Sequence, residues 1–124
     1  MAKMRTIYKC KTCKNIVEVL RGGSGNLVCC GQTMQQVKEN STEASVDMHV
    51  PIAEKTGGGL LVTIGSVLHP MKEDHYIEWI DLTAKGITYR RFLKPGNPPE
   101  AFFKFEPPDM TVSAYCNLHG LWKS

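Results

Sequence analysis

His75-Tyr76-Ile77-Glu78-Trp79-Ile80 reads as a strand, and a period of two places His75, Ile77 and Trp79 on one face. Working outward, strand-like runs recur at Ala44–Val50, Leu60–Leu68, His75–Thr83, Ile87–Leu93, Ala101–Glu106 and Met110–Cys116. Between them stand Gly57-Gly58-Gly59, His69-Pro70, Lys94-Pro95-Gly96-Asn97-Pro98-Pro99 and Pro107-Pro108, which break regular structure. No segment carries a convincing apolar period of about 3.6 residues. Short strands at this spacing predict an all-β sandwich over residues 37–124.

Residues 1–36 have a different texture and are expected to form a separate, compact cysteine module. Tyr8-Lys9-Cys10-Lys11-Thr12-Cys13 reads as a strand entering a tight knuckle. Asn15–Leu20 is a second short strand, Arg21–Asn26 a glycine-rich turn, and Leu27-Val28-Cys29-Cys30-Gly31 a strand ending in a cysteine pair. So small a unit buries too little apolar surface to hold itself, and a bound metal would supply what is missing.

Composition narrows the function classes. The chain has 124 residues, 42% hydrophobic and 22% charged, which suits a globular fold. A formal charge of +3 without a basic run interleaved with aromatics argues against nucleic acid, and Arg90-Arg91 is expected to be a solvated strand edge. No apolar run approaches the roughly 20 residues needed to cross a bilayer, so no membrane partner is expected. Met1–Tyr8 contains no apolar h-region, and the expected compartment is the cytoplasm. There, five cysteines argue for metal ligation over disulfides.

Cys10-Lys11-Thr12-Cys13 and Cys29-Cys30 together offer four thiolates in two pairs. Such a tetrahedral set suits zinc or iron, and the residues alone leave that choice open. Neighbours on a strand point opposite ways, so Cys29 and Cys30 reach one ion only if the backbone twists. The remaining cysteine stands in Cys116-Asn117-Leu118-His119, a spacing that lets thiolate and imidazole chelate from one loop. His49, His69 and His75 lie near predicted strand ends, where a sandwich can bring them to one rim. Each histidine alone is ordinarily a surface or hydrogen-bonded residue. Four imidazoles with one thiolate would suit a borderline transition metal such as iron, with one position left open.

These motifs resemble the desulfoferrodoxins, two-iron superoxide reductases, over essentially the whole chain. Cys10, Cys13, Cys29 and Cys30 match a desulforedoxin-type centre. His49-Val50-Pro51, His69-Pro70-Met71, His75-Tyr76-Ile77 and Tyr115-Cys116-Asn117-Leu118-His119-Gly120-Leu121-Trp122 match the motifs of the catalytic centre. The resemblance implies ferric iron on the four cysteines, and ferrous iron on His49, His69, His75 and His119 with an axial Cys116 thiolate. It implies an immunoglobulin-like second domain, a homodimer, superoxide as substrate and rubredoxin or a similar carrier as electron donor. It leaves open a calcium ion at a surface or dimer site. Backbone N–H groups of Leu118 and His119 are placed to bond the Cys116 sulfur.

The chain departs from the family where Asp47-Met48 replaces the usual Glu-Lys before His49. Asp47 retains the charge of the carboxylate that the family places at the sixth iron position. Met48 carries neither charge nor donor, so superoxide capture is expected to be weaker, or another cation substitutes; Lys55 and Lys72 are the sequence neighbours. Ala114 stands where some relatives have Glu, which removes a possible acceptor near the thiolate.

Overall fold

β1 (Ile7–Lys9) is the middle strand of the first unit, Met1–Lys38, with β2 (Ile16–Glu18) on one side and β5 (Gln35–Gln36) on the other. β3 (Val28–Cys29) and β4 (Gln32–Thr33) form a separate antiparallel pair. Among its described residues Ile7, Cys10, Val19 and Met34 are the buried apolar ones, while Val17, Leu20 and Val28 are exposed. That is too little buried area to offset the entropy of ordering such a chain. The computed structural model describes residues 6–40, 49–104 and 109–123.

The second unit, Glu39–Ser124, contains two sheets. One has the order β10-β9-β12-β13-β6, from β6 (Glu39–Asn40), β9 (Ile77–Ala84), β10 (Ile87–Phe92), β12 (Thr111–Cys116) and β13 (Gly120–Lys123). The other has the order β11-β8-β7, from β7 (Pro51–Thr56), β8 (Gly59–Ile64) and β11 (Glu100–Phe103). Pairings are antiparallel except β13 with β6. Leu60, Val62 and Ile64 of β8 meet Ile80 and Leu82 of β9 and Val112, Ala114 and Cys116 of β12 in one buried cluster. The fold is therefore all-β, a sandwich preceded by a small cysteine module. Ala114 faces this core on the same side of its strand as Cys116.

The period of two fails inside β9. Tyr115 pairs with Trp79 but Cys116 pairs with Ile77, so Glu78 is an extra residue in the ladder. The bulge reverses the parity: Ile77 joins the core with Ile80 and Leu82, whereas Trp79 lies against Tyr115, stacked at 4.6 Å and 8°. Ile77 and Trp79 thus do not share a face. His75 precedes the strand, in an isolated bridge with Lys72.

Other expectations also shift. The run expected over Leu60–Leu68 ends at Ile64; Gly65 then turns with φ +83°, leaving Val67 and Leu68 exposed. β7 and β13 were not anticipated. β7 is an edge strand opened by Pro51, with little alternation of burial. Ala44–Met48 of the expected first strand lie outside the described residues, as does Glu106. Arg90 is no solvated edge: Nε and NH2 each donate to an oxygen of buried Asp81 at 2.7 Å, and its guanidinium lies 5.6 Å from the Trp79 ring centre. Gly59 is required by close approach, since a Cβ there would overlap the Phe103 carbonyl.

Candidate metal centres

The knuckle between β1 and β2 closes when the Cys10 N–H donates to the Asn15 carbonyl at 2.9 Å and the Lys14 N–H to the Cys10 carbonyl at 3.0 Å. Lys14 takes φ +70° to make this turn. The opposing pair lies at the end of β3, where Cys30 adopts φ +52° and Gly31 φ +74°. This is the backbone twist that two adjacent cysteines need to face one ion. The four sulfurs lie within 4.8 Å of one another. Cys13 and Cys29 are 3.5 Å apart and Cys29 and Cys30 3.9 Å, while all remain free thiols. A tetrahedron of thiolates about 2.3 Å from an ion has edges near 3.8 Å, so the spacing fits a bound metal.

Electrostatics make the same point. The Cys13 N–H, 3.5 Å from the Cys10 sulfur, helps hold the Cys10 thiol down at about 6. Cys29, sharing its proton with Cys13 and Cys10, is pushed up to about 12. Four thiols this close cannot all ionise by themselves; a cation among them makes that possible.

At the second site, His49, His75, Cys116 and His119 each bring one donor atom within 4.8 Å of the others. His69 falls outside that limit, yet its ring completes a square. Its centroid is 4.8 Å from both His49 and His75, while His119 lies 4.8 Å from His49 and 5.0 Å from His75. The His49–His75 diagonal is 6.5 Å. Imidazole nitrogens about 2.0–2.1 Å from a metal put opposite ring centres about 6.4 Å apart, so the square has the size of a four-imidazole site. Neighbouring rings stand at 70–78°, edge to face, so four fit round one point.

Each donor nitrogen is identifiable. His69 Nδ1 donates to the Pro70 carbonyl at 2.7 Å, which leaves its buried Nε2 a lone pair without a partner. His75 Nε2 is likewise buried and unpartnered. His119 turns Nδ1 inward, 3.1 Å from His49 Nε2 and 3.8 Å from the Cys116 sulfur. His49 is held flat against buried Trp122, stacked at 4.7 Å and 15°. Cys116, fully buried in the core, approaches this set from the core side, whereas His119 is exposed. Orphaned buried nitrogens converging on one point with a sulfur fit a metal ion and little else.

Burial pushes His69 down to about 4 and lowers His75, where the His119 charge adds to the effect. Both are neutral ligands at neutral pH. Burial raises the Cys116 thiol, while the N–H groups of His119 and Leu118 pull it the other way, as the motif led one to expect. Of the two lysines, Lys72 exchanges backbone hydrogen bonds with His75 at 2.9 and 3.1 Å and so stands beside the site. Lys55 pairs with Leu60 near the β7–β8 turn, away from His49. Asp47 and Met48 lie outside the described residues. Among the described residues no carboxylate cluster suited to calcium stands beside the two groups. Sequence reasoning missed Trp122 and Asn117 as supports of the site; both stand inside the matched motif, but neither is a ligand type.

Comparison with known proteins agrees with this geometry. The family model for desulfoferrodoxin matches residues 38–124, and that for the desulfoferrodoxin N-terminal domain matches residues 2–37. Desulfoferrodoxin of Syntrophotalea carbinolica is 52% identical over 124 residues, covering 100% of this chain and 98% of its own. The superoxide reductase of Treponema pallidum shares the fold with a TM-score of 0.74 over 100% of this chain and 99% of its own, at 24% identity. The superoxide reductase (1Fe-SOR) of Giardia intestinalis, 31% identical, covers 63% of this chain and 95% of its own with a TM-score of 0.52. With two thiolate- and imidazole-built metal sites in the matched positions, the chain belongs to the desulfoferrodoxin family.

Proposed function

We propose that this chain is a superoxide reductase, and the square of four imidazoles above the buried Cys116 sulfur carries that reading. Superoxide, one electron and two protons give hydrogen peroxide. His49, His69, His75, His119 and Cys116 would hold an iron ion, which would supply one-electron redox chemistry for this reaction, with an external one-electron donor to renew it.

The chain's own residues do the rest. Neutral imidazoles, kept so by burial at His69 and His75, present lone pairs without competing for protons. The Pro70 carbonyl fixes the His69 tautomer, and Trp122 fixes the plane of His49. Packing in the core keeps water from the sulfur side; burial raises the Cys116 thiol, the N–H groups of His119 and Leu118 offset part of that, and a bound cation would favour the thiolate. Its negative charge favours the oxidised metal and so favours giving up the electron. These five residues would supply five donors to the ion, which would leave a sixth position for substrate. Asp47 is our candidate to close that position after turnover. Lys72, beside His75, is the cation that best replaces the missing charge at Met48.

Cys10, Cys13, Cys29 and Cys30 would hold ferric iron, and the His49, His69, His75, His119 and Cys116 set would hold ferrous iron, in the resting protein. The donor is rubredoxin or a similar small carrier, the assembly a homodimer and the compartment the cytoplasm. Support for these comes from the likeness to the family. Metal analysis with visible spectra before and after mild oxidation tests the function. Two irons per chain, a new long-wavelength thiolate-to-ferric band and peroxide without oxygen evolution are expected. Zinc, or oxygen release without need of a donor, would overturn it.

A further inference from the structure

Asn117 stands between two ligands, Cys116 and His119, and its side chain reaches the backbone on either side of a third. Oδ1 accepts the Tyr76 N–H at 2.9 Å, and Nδ2 donates to the Asp74 carbonyl at 3.1 Å. The Asn117 N–H donates in turn to the Tyr76 carbonyl at 3.2 Å. Only one orientation of the amide satisfies both side-chain contacts. His75 is therefore bracketed: Asn117 holds Asp74 and Tyr76, and the two backbone bonds to Lys72 close the other side of the turn. These partners are 41 and 43 residues from Asn117 in sequence, so the contacts are tertiary.

We propose that Asn117 is a positioning residue of the second centre. It latches the His75 segment to the Cys116–His119 loop, so that three ligands are set relative to one another by the protein and not by the ion. His75 lies outside β9, beyond the bulge, and has no strand ladder to orient it. The Cys116 sulfur and His119 Nδ1, 3.8 Å apart, both lie on the loop that Asn117 anchors, so releasing the latch disturbs both the imidazole and the thiolate. The proposal rests on the metal-site reading above, but it concerns how the site is held and not what reacts there.

The test uses the iron-loaded full chain. Asn117→Ala is expected to speed iron loss from the second centre to a chelator by about 10–100-fold and to shift its thiolate-to-ferric band, with the four-cysteine spectrum unchanged. Gly59→Ala, which strains the sandwich elsewhere, is expected to leave that band in place. Native iron retention and band position in Asn117→Ala would overturn the latch, and so would an equal band shift in Gly59→Ala. Hydrogen exchange at Tyr76 in the unsubstituted chain decides the matter if the variant does not fold: slow exchange is expected, and exchange at the rate of an open loop would overturn it. If the unsubstituted chain shows no such band, the superoxide-reductase reading fails, while exchange at Tyr76 still judges the latch.

Discussion

The two metal sites solve opposite structural problems. In the first unit, two cysteine pairs from neighbouring turns surround a point where a larger domain would have its core. Cys13 and Cys30 are exposed, and among the described residues Ile7, Val19 and Met34 are nearly all the buried apolar material of that unit. At the second site the ligands come from separate loops and strand ends, set on a sandwich whose core is already filled by Leu60, Val62, Ile64, Ile80 and Leu82. The metal is the core of the first unit and a passenger on the second. A passenger site can leave a coordination position open for substrate, because folding does not depend on closing it.

The largest expected effect breaks function without breaking the fold. Cys116→Ala should lower superoxide reduction by more than about 100-fold, beyond the usual effect of losing a partner outside the ligand set. The thiolate band of the second centre should vanish, while the four-cysteine spectrum stays. Stopped-flow superoxide decay and visible spectra check this; retained activity would show that the Cys116 thiolate is not what drives the electron transfer.

Metal removal sharpens the comparison directly. With both sites stripped by a chelator, amides of Tyr8 and Val17 should exchange freely, while those of Ile80 and Leu82 keep their protection. Hydrogen exchange by mass reads both units in one sample. Protection persisting at Tyr8 would mean that the small unit folds without its staple.

The same contrast explains what could be read in advance. Cysteine and histidine are scarce and chemically marked, so the candidate donors stood out in the sequence, while their roles came from the resemblance to the family. The strands around Leu60 and Ile87 were legible from β-rich runs bounded by Gly and Pro. β7 was not, because Glu54, Lys55 and Thr56 line an exposed edge and carry no alternation. The bulge at Glu78 was also invisible: it reverses which side of β9 faces the core, and only pairing with β12 reveals it. Asn117 escaped notice because an amide bonding a distant backbone leaves no periodic or compositional trace.

A smaller effect tests whether the sandwich holds its passenger. Gly59→Ala forces a methyl group against the Phe103 carbonyl, at the close approach of β8 to β11. A cost of about 1–3 kcal/mol is expected in denaturant unfolding of the second unit. Exchange in the first unit should not change. An unaltered midpoint would mean that β11 moves aside freely and that the core is less tightly packed than its burial suggests.

Acid should separate the two units most gently. In the metal-free sandwich His69 titrates near 4, against 6.5 for an ordinary histidine, because burial disfavours its charge. Between those values the unfolded chain holds a proton that the folded chain refuses. The unfolded state thus binds more protons, and stability rises with pH across this window. The contribution is complete above 6.5 and is lost as pH falls toward 4, with His75 shifted the same way. Thermal melts of the metal-free chain should therefore fall with pH through this window, by about 4–8 °C for each kcal/mol lost. His69→Leu should flatten that slope, since it removes the group most strongly depressed by burial. A slope as steep in His69→Leu as in the unsubstituted chain would show that burial of the His69 imidazole is not what makes the sandwich acid-sensitive, and His75, shifted the same way, would be the next residue to replace.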